Sequence, residues 1–533
     1  MSSIYNPSMC RSLRFRRAAS AAVLAVIAAA TAACFPDGGA ASTPSDADAP
    51  PPPAWNVDGR FNVAFSTLLG TPGDDQLREA IPLDDGTAWI AGQANGDGMP
   101  TTAGVLQPRY AGEDLSKRKG DGRVGGDVWL GRLAADGSRV LAGTYFGGSK
   151  QERNAYGLER ARDGDLVFCT MTRSHDVKTT AGAFQPRFGG GEGDWCVARV
   201  SPDLKSLRWC TYVGGSAGEF PRAGLALDAE DRPVIVGYTK SPDFPTTEGA
   251  FRRAVVGGDD VAVVKLSADG TRLVAATRVG GRGDDEVAGV RVAPDGAVLF
   301  AGQTASSDFP TSEASPQKRH GGRFDATLVR LSPDLKALET GAYLGGGADE
   351  FAEHRLLLAA DGGVWVTGST ASPDFPATEN AWQKSCGGGN DGFVVRYARD
   401  LRTVVFATCV GRAGEENLLT PALDADGVLW CAGYTSSPDF PVTPDALQPK
   451  YGGGKLDGLI VALSADGSRL VYASFLGGAG DDHVRGFAIA PDGAFWLLGN
   501  TDSRNFPTTK SALRKSLAGG MDAFVVKLTP KAR

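Results

Sequence analysis

One short pattern recurs seven times along the chain: an aromatic or apolar pair, Gly, usually a second Gly, then an acidic cluster. Its copies are LLGTPGDD, YFGGSKQE, YVGGSAGE, RVGGRGDD, YLGGGADE, CVGRAGEE and FLGGAGDD. Their first glycines are Gly70, Gly147, Gly214, Gly280, Gly345, Gly411 and Gly477, so the spacings are 77, 67, 66, 65, 66 and 66 residues. Composition alone does not generate such regularity. A period of this length marks stacked supersecondary units, none of which buries its apolar face alone.

Each unit reads as four short strands. In the copy that opens at Gly280, the apolar runs predict strands at Val287–Ala293, Ala297–Gln303, Asp325–Leu331 and Ala337–Leu344. A Pro-Asp-Gly turn joins the first two, and Asp-Gly there suits a two-residue hairpin with positive φ at both central positions. A long loop containing Asp-Phe-Pro precedes the third strand. The chain contains 72 Gly in 533 residues, which argues against helices, since Gly costs about 1 kcal/mol in a helix interior. The predicted fold is all-β, a seven-bladed β-propeller of four-stranded antiparallel blades. After Gly477 only three strands remain. Residues 58–69 (DGRFNVAFSTLL) match the fourth-strand segments DGTRLVAATRV and DGSRLVYASFL. The N-terminal strand is therefore expected to close the last blade, and ring closure removes free sheet edges.

Several residues together resemble the SBBP (seven-bladed β-propeller) repeats of bacterial exported and surface proteins. They are the Gly-Gly-acidic turns, and Gly-x-Thr strand ends at Gly237, Gly302 and Gly433. Asp-Phe-Pro-x-Thr loops, with Ser in place of the Thr in the second, start at Asp243, Asp308, Asp374 and Asp439, and Asp-x-Phe-Val-Val strands at Asp391 and Asp522. The resemblance covers about residues 58–530. Blade two departs from it: FCTMTRSHDVKTT lacks the Gly-x-Thr and the Phe-Pro. The resemblance implies a propeller in an extracytoplasmic setting and supplies no catalytic set.

The N-terminus agrees with that setting. Arg11, Arg14, Arg16 and Arg17 precede an apolar run from Ala18 to Ala33, too short and Ala-rich for a good membrane span. The run ends in Thr31-Ala32-Ala33-Cys34, similar to a lipobox, in which the Cys is lipidated and becomes residue one. Residues 1–33 are thus read as a lipoprotein-type signal peptide with Cys34 as lipidation site; ordinary signal cleavage nearby is the alternative. Residues 34–56 form a Pro/Ala/Ser/Asp tether, and 57–533 the propeller. Loss of residues 1–33 removes four Arg and no acid, taking the formal net charge from −7 to −11. Such a balance argues against nucleic acid as a partner. The expected address is the bacterial cell envelope, periplasmic or cell-surface, with the chain a monomer.

Six Cys remain beyond Cys10 and Cys34, an even count that permits disulfides in an exported protein. Cys196 and Cys210 are symmetric about Asp203 in a predicted hairpin, which places them directly opposite and makes them the candidate bridge. Cys409 and Cys431 fall on different predicted blades and receive no assignment. No C-x-x-C spacing occurs.

If the first strand of each unit is innermost, the acidic turns ring one mouth of the central channel. The candidates are Asp74, Asp75, Asp284, Asp285, Glu286, Asp349, Glu350, Glu415, Glu416, Asp481 and Asp482. Their hard oxygens could take Ca²⁺ or a cationic ligand. Their recurrence in nearly every unit favours the alternative, that they accept hydrogen bonds from the Gly-rich turns. Asp127, Asp194, Asp260, Asp325, Asp391, Asp457 and Asp522, which open the third strands, read as loop-fixing residues.

Gly214-Gly215-Ser216-Ala217-Gly218 fits G-x-S-x-G but is one copy of the repeat turn, with no helix to complete a nucleophile elbow. The G-x-G-x-x-G at residues 120–125 leads into a strand instead of a helix. His175, His320, His354 and His483 stand at no metal-ligand spacing; His354 and His483 fall by first strands. The first spacing is longer because of an insertion, AGEDLSKRKGDGRVGG, whose Lys117, Arg118 and Lys119 are basic on an acidic chain and suit a partner or an anionic polymer. The functional expectation is a lipid-anchored, non-enzymatic binding or scaffold module for an envelope protein or polysaccharide, needing no cofactor. The alternatives are a propeller hydrolase or lyase acting on polysaccharide, and a purely structural envelope module.

Overall fold

The computed structural model describes residues 50–113 and 125–531. Cys34 and Lys117–Lys119 lie outside the described residues, as do most of the tether and of residues 120–125. The described chain forms seven antiparallel sheets, each a blade, and no helix occurs among the described residues. Blade 1 contains Gln76–Pro82, Ala88–Ala94, Asp127–Leu133 and Val140–Phe146 in spatial order. Blades 3 to 6 repeat that meander from Glu219, Asp285, Glu350 and Glu416. Blade 7 takes Asp482–Ile489, Phe495–Thr501 and Asp522–Pro530 from the C-terminal end. Its fourth strand is Phe61–Leu69, antiparallel to Asp522–Pro530 with Phe61 opposite Pro530 and Leu69 opposite Ala523. The expected closure by the N-terminal strand is what the structure shows.

First strands touch one another around the ring, and that of blade 1 meets that of blade 7, so they are innermost and line the channel. The apolar core is divided accordingly. Seven buried clusters each join two neighbouring blades. Period-two alternation does this within single strands: Val298 and Phe300 pack toward blade 3, while Leu299 and Ala301 pack toward blade 5. Both faces of a second strand are therefore dry, which is why these strands read as unbroken apolar runs.

The hairpins differ from the two-residue expectation. In blade 4, Ala293 N donates to Ala297 O and Gly296 N to Ala293 O, leaving a three-residue loop in which only Gly296 has positive φ, at 85°. This is the type I turn with a left-handed Gly that three-residue hairpins favour. Blade 2 alone has a broken first strand, Glu152–Arg153 and then Leu158–Arg160, with left-handed Asn154 and Gly157 between them. The described end of the tether lies against the ring. Asn56 N donates to Leu447 O at 2.8 Å, and Asn505 Nδ2 donates to Pro51 O at 3.3 Å.

The expected opposition of Cys196 and Cys210 needs correction. The turn closes at Val200–Leu207, and Arg208 bulges out of the ladder. The register then sets Cys196 opposite Tyr212 and Cys210 opposite Ala198. The two sulfurs lie 3.5 Å apart as buried thiols. The disulfide instead joins Cys386, in the long loop of blade 5, to Cys409 on the fourth strand of the same blade.

Candidate functional site

Each repeat turn carries two acidic positions, and the structure gives them different work. The inner ones are Asp75, Glu152, Glu219, Asp285, Glu350, Glu416 and Asp482, one per blade, all buried at the start of the innermost strand or just before it. Each accepts the backbone N–H found four residues upstream, as in Gly281 N to Asp285 Oδ2 at 2.7 Å and Gly478 N to Asp482 Oδ2 at 2.7 Å. Each from blade 2 to blade 6 also accepts the hydroxyl that ends its second strand: Thr172, Thr239, Thr304, Thr370 and Thr435. This is the physical meaning of the Gly-x-Thr motif. Blade 2 keeps that Thr and loses only the Gly. Blade 1 ends its second strand in Ala94, and Thr71 from the turn donates to Asp75 instead.

The outer acids fasten the preceding blade. Asp284 Oδ1 accepts Asp259 N at 3.3 Å, Asp349 Oδ1 accepts Phe324 N at 3.2 Å, and Asp481 Oδ1 accepts Lys455 N at 2.6 Å. Asp349 also pairs with Arg323. Asp74 Oδ1 lies beside Gly520 in the equivalent loop of blade 7. At Glu415 the bond stays within its own blade, the backbone N–H donating to Ser436 Oγ. Glu286 sits one residue further along its strand, ion-paired to Arg222 at 2.6 Å.

The third-strand acids lie against the inner ones. Asp194 accepts Gly189 N at 2.6 Å, Asp325 accepts Gly321 N and Gly322 N, and Asp522 accepts Ala518 N at 2.7 Å. The first glycine of a turn separates two carboxylates. A Cβ on Gly477 would lie 2.5 Å from Asp482 Oδ2 and 2.8 Å from Asp457 Oδ1. Gly147, Gly214, Gly280 and Gly411 show the same pinch. The facing oxygens of Asp127, Asp194, Asp260, Asp391 and Asp457 are buried without a hydrogen-bond donor. Burial pushes Asp127 and Glu152 up to about 7, with the charge of Glu152 adding to the rise at Asp127. Asp457 rises to about 8 and Asp482 to about 7 for the same first cause. Two like charges in a dry site cannot both ionise cheaply, so burial and then the charge of the facing carboxylate favour the protonated acid at Asp127, Asp194, Asp285, Asp391 and Asp457.

The channel wall obeys no seven-fold rule. The residue after the inner acid is Gln76, Arg153, Phe220, Glu286, Phe351, Asn417 or His483. Three residues after the acid stand Arg78, Arg222 and Arg485, in blades 1, 3 and 7. The ladder is irregular there, between Leu77 and Glu79, Phe220 and Gly224, and Val484 and Gly486. Such bulges re-aim side chains. Arg78 lies over the Tyr156 ring at 5.3 Å and Arg153 over Phe220 at 4.9 Å. Phe220 stacks on Tyr238 with centroids 5.5 Å apart. Burial, then the charges of Arg485 and Arg222, push the Arg78 guanidinium down to about 10. Arg222 pairs with Glu286 of blade 4, and Arg485 Nε donates to Asn500 Oδ1 at 2.8 Å. The expectation of a negative mouth missed them, although an acid followed three residues later by Arg is visible at Asp75, Glu219 and Asp482.

Other candidates find local partners. His483 lies edge-on to Tyr434 at 5.0 Å and beside Asn500 Nδ2 at 3.3 Å. His320 contacts Thr304 O, and His175 stacks on Phe188. The side chain of His354 lies outside the described residues. Ser216 Oγ donates to Asp243 Oδ1 at 2.8 Å within a turn between blades, not at a strand-to-helix elbow. A cavity of about 620 Å³ opens between blades 1 and 2 at the hairpin face, lined by Asp84, Asp85, Arg132, Glu159, Arg160 and Arg162 among others.

No family model matches the chain, and no curated protein matches it in sequence. Among solved structures it is similar to a protein of unknown function from Dyadobacter fermentans, at 10% identity and TM-score 0.42, covering 89% of this chain and 100% of that one. BamB from Moraxella catarrhalis gives 13% and 0.37, over 87% and 99% of the two chains. A europium-containing methanol dehydrogenase gives 10% and 0.42, over 88% and 94%. Likeness at this level assigns no activity, and the propeller rests on the strand pairing itself.

Proposed function

We propose that the chain is a non-enzymatic binding or scaffold module of the bacterial cell envelope, of the SBBP-repeat type, exported and lipid-anchored through Cys34. One observation carries the reading. The acids repeated from blade to blade are engaged by the fold's own N–H and hydroxyl donors, whereas the residues that break the repeat gather on the channel wall. A ligand site breaks symmetry; a structural latch repeats. The ligand in this reading is an envelope protein or polysaccharide, held by a monomeric propeller without a cofactor. In this reading the insertion bearing Lys117, Arg118 and Lys119 serves as an accessory contact for an anionic partner. Its flank is pinned toward blade 2 by the Glu113–Lys150 ion pair at 2.8 Å.

A glycan and envelope-protein array, read in parallel with a turnover screen, tests this. Saturable binding without turnover is the expected result. Turnover lost on substitution of channel residues would overturn it in favour of an enzyme.

A further inference from the structure

We propose that the face of the ring carrying the repeat turns is the surface held toward the bilayer, and that residues 51–60 are the strap that sets this orientation. The inference rests on the lipid-anchored reading and adds to it which surface meets the membrane.

The closing strand Phe61–Leu69 runs from the hairpin face to the repeat-turn face. Phe61 lies opposite Pro530, at the hairpin end of blade 7, and Leu69 leads into Gly70 of the first repeat turn. A chain that simply trailed away from Phe61 would leave the ring at the hairpin face. Residues 51–60 instead line the outer wall between blades 6 and 7 from one face to the other. Arg60 marks the hairpin end: its N–H donates to Asp445 O at 3.0 Å, its Nη2 to Val471 O at 3.2 Å, and its Nε pairs with Asp445 Oδ2 at 2.8 Å. Further up, Asn56 N donates to Leu447 O at 2.8 Å and Asn56 Nδ2 to Ala446 O at 2.9 Å. Trp55 packs there on the apolar cluster that joins the two blades. At the other end Asn505 Nδ2 donates to Pro51 O at 3.3 Å, while Asn505 Oδ1 accepts Ala479 N of the repeat turn at 2.7 Å. The tether therefore joins the ring at its repeat-turn face.

Asn505 is itself a break in the repeat. Its place is held by Asp176, Asp243, Asp308 and Asp374 in blades 2 to 5, and each accepts an N–H from the repeat turn that opens its blade. An ionised carboxylate only accepts, whereas an amide accepts with one end and donates with the other. Blade 7 alone has the amide at this place, and blade 7 is where the strap passes. The amide keeps the turn contact of the other blades and adds a donor for the strap. An anchor at Cys34 thus draws on the repeat-turn face. Bringing the hairpin face down would require the tether to run the blade's height again, about 30 Å for a nine-residue strand. The channel mouth among the repeat turns then opens toward the same bilayer, and the hairpin face is presented to the aqueous phase.

The test couples the mature chain, beginning at Cys34, through that thiol to phosphatidylcholine vesicles containing maleimide-headgroup lipid and a rhodamine-headgroup acceptor. Cys169, Cys196, Cys210 and Cys431 are buried, and Cys386 and Cys409 are linked. A donor dye is clicked to an azide-bearing residue at one of two exposed positions, Arg282 on the repeat-turn face or Asp334 on the hairpin face. Both lie across the ring from the strap. Energy transfer from position 282 should exceed that from 334 by about twofold or more. Trp55→Ala combined with Asn505→Asp should narrow the difference, and Asn505→Asp alone, a milder variant should the first misfold, should narrow it less. Equal transfer, stronger transfer from 334, or a difference that both variants leave unchanged would overturn the orientation. Flotation of the natively expressed chain with membranes, lost in Cys34→Ser, tests the anchor separately. A chain that does not float would remove the anchor and the proposal with it, whereas a chain that floats but shows equal transfer would overturn the orientation alone.

Discussion

Asp260 and Asp285 face one another across Gly280, with Oδ1 of the first and Oδ2 of the second each 2.7 Å from the point a Cβ on that glycine would occupy. The pair belongs to two blades, Asp260 opening the third strand of blade 3 and Asp285 the first strand of blade 4. A seam between blades is thus held by two buried acids and a residue with no side chain. Gly280→Ala would drive a methyl into both carboxyl groups. Its expected cost is about 1–3 kcal/mol, read by urea unfolding.

Thr304 completes the same latch by donating its hydroxyl to Asp285. Thr304→Val keeps the shape and removes the donor. The loss expected is about 1–3 kcal/mol, because a buried carboxyl oxygen is left without its partner. A variant as stable as wild type would show that the hydroxyl contributes nothing net.

The seams make stability depend on pH in a direction unusual for carboxylates. Asp127, Glu152, Asp285 and Asp482 are raised to about 7 and Asp457 to about 8, chiefly by burial. In the unfolded chain such groups titrate near 4. Between about pH 4 and pH 8 the folded chain therefore binds more protons than the unfolded one, and stability falls as pH rises through that window. Urea midpoints at pH 5 and pH 8 should show the decline, and Asp457→Asn should make it shallower.

The closing strand should be indispensable. Phe65 is fully buried and meets Trp496 edge-on at 5.4 Å. Phe65→Ala is expected to cost about 3–5 kcal/mol. Deletion of residues 57–69 should expose the Asp522–Pro530 edge and promote association, visible by light scattering. A deletion variant that stays monomeric with an unchanged melting temperature would contradict the closure.

Peptide mapping without reductant should recover Cys386 linked to Cys409, with Cys196 and Cys210 as thiols. Replacing the linked pair by Ser should cost about 2–4 kcal/mol, the usual effect of releasing such a loop.

Much of this architecture is legible in the sequence, and the illegible part has identifiable causes. Seven glycines at near-constant spacing specify the blades, and the match of residues 58–69 to fourth strands specifies the closure. The split between inner and outer acids is hidden, since Asp284 and Asp285 are the same residue type side by side. Only the strand's alternation separates them, and placing the first strand at Val287 instead of Asp285 conceals it. That same offset hides Arg78, Arg222 and Arg485 as one register position. The Cys196–Cys210 pairing fails because a turn length and a bulge, neither encoded by symmetry about Asp203, set the register. The buried pairs themselves join residues about 20 or more positions apart, such as Asp457 and Asp482, and only the assembled ring brings them together.

Potentiometric counting of protons at pH 6, as the folded chain is unfolded in urea, tests the central claim most directly. Buried acids that are held protonated at the seams, Asp127, Glu152, Asp285, Asp457 and Asp482, must surrender their protons on unfolding, so the account predicts net proton release, smaller in Asp457→Asn. No release, or a release that Asp457→Asn leaves unchanged, would contradict the claim that buried acids at the blade seams are held protonated in the folded ring.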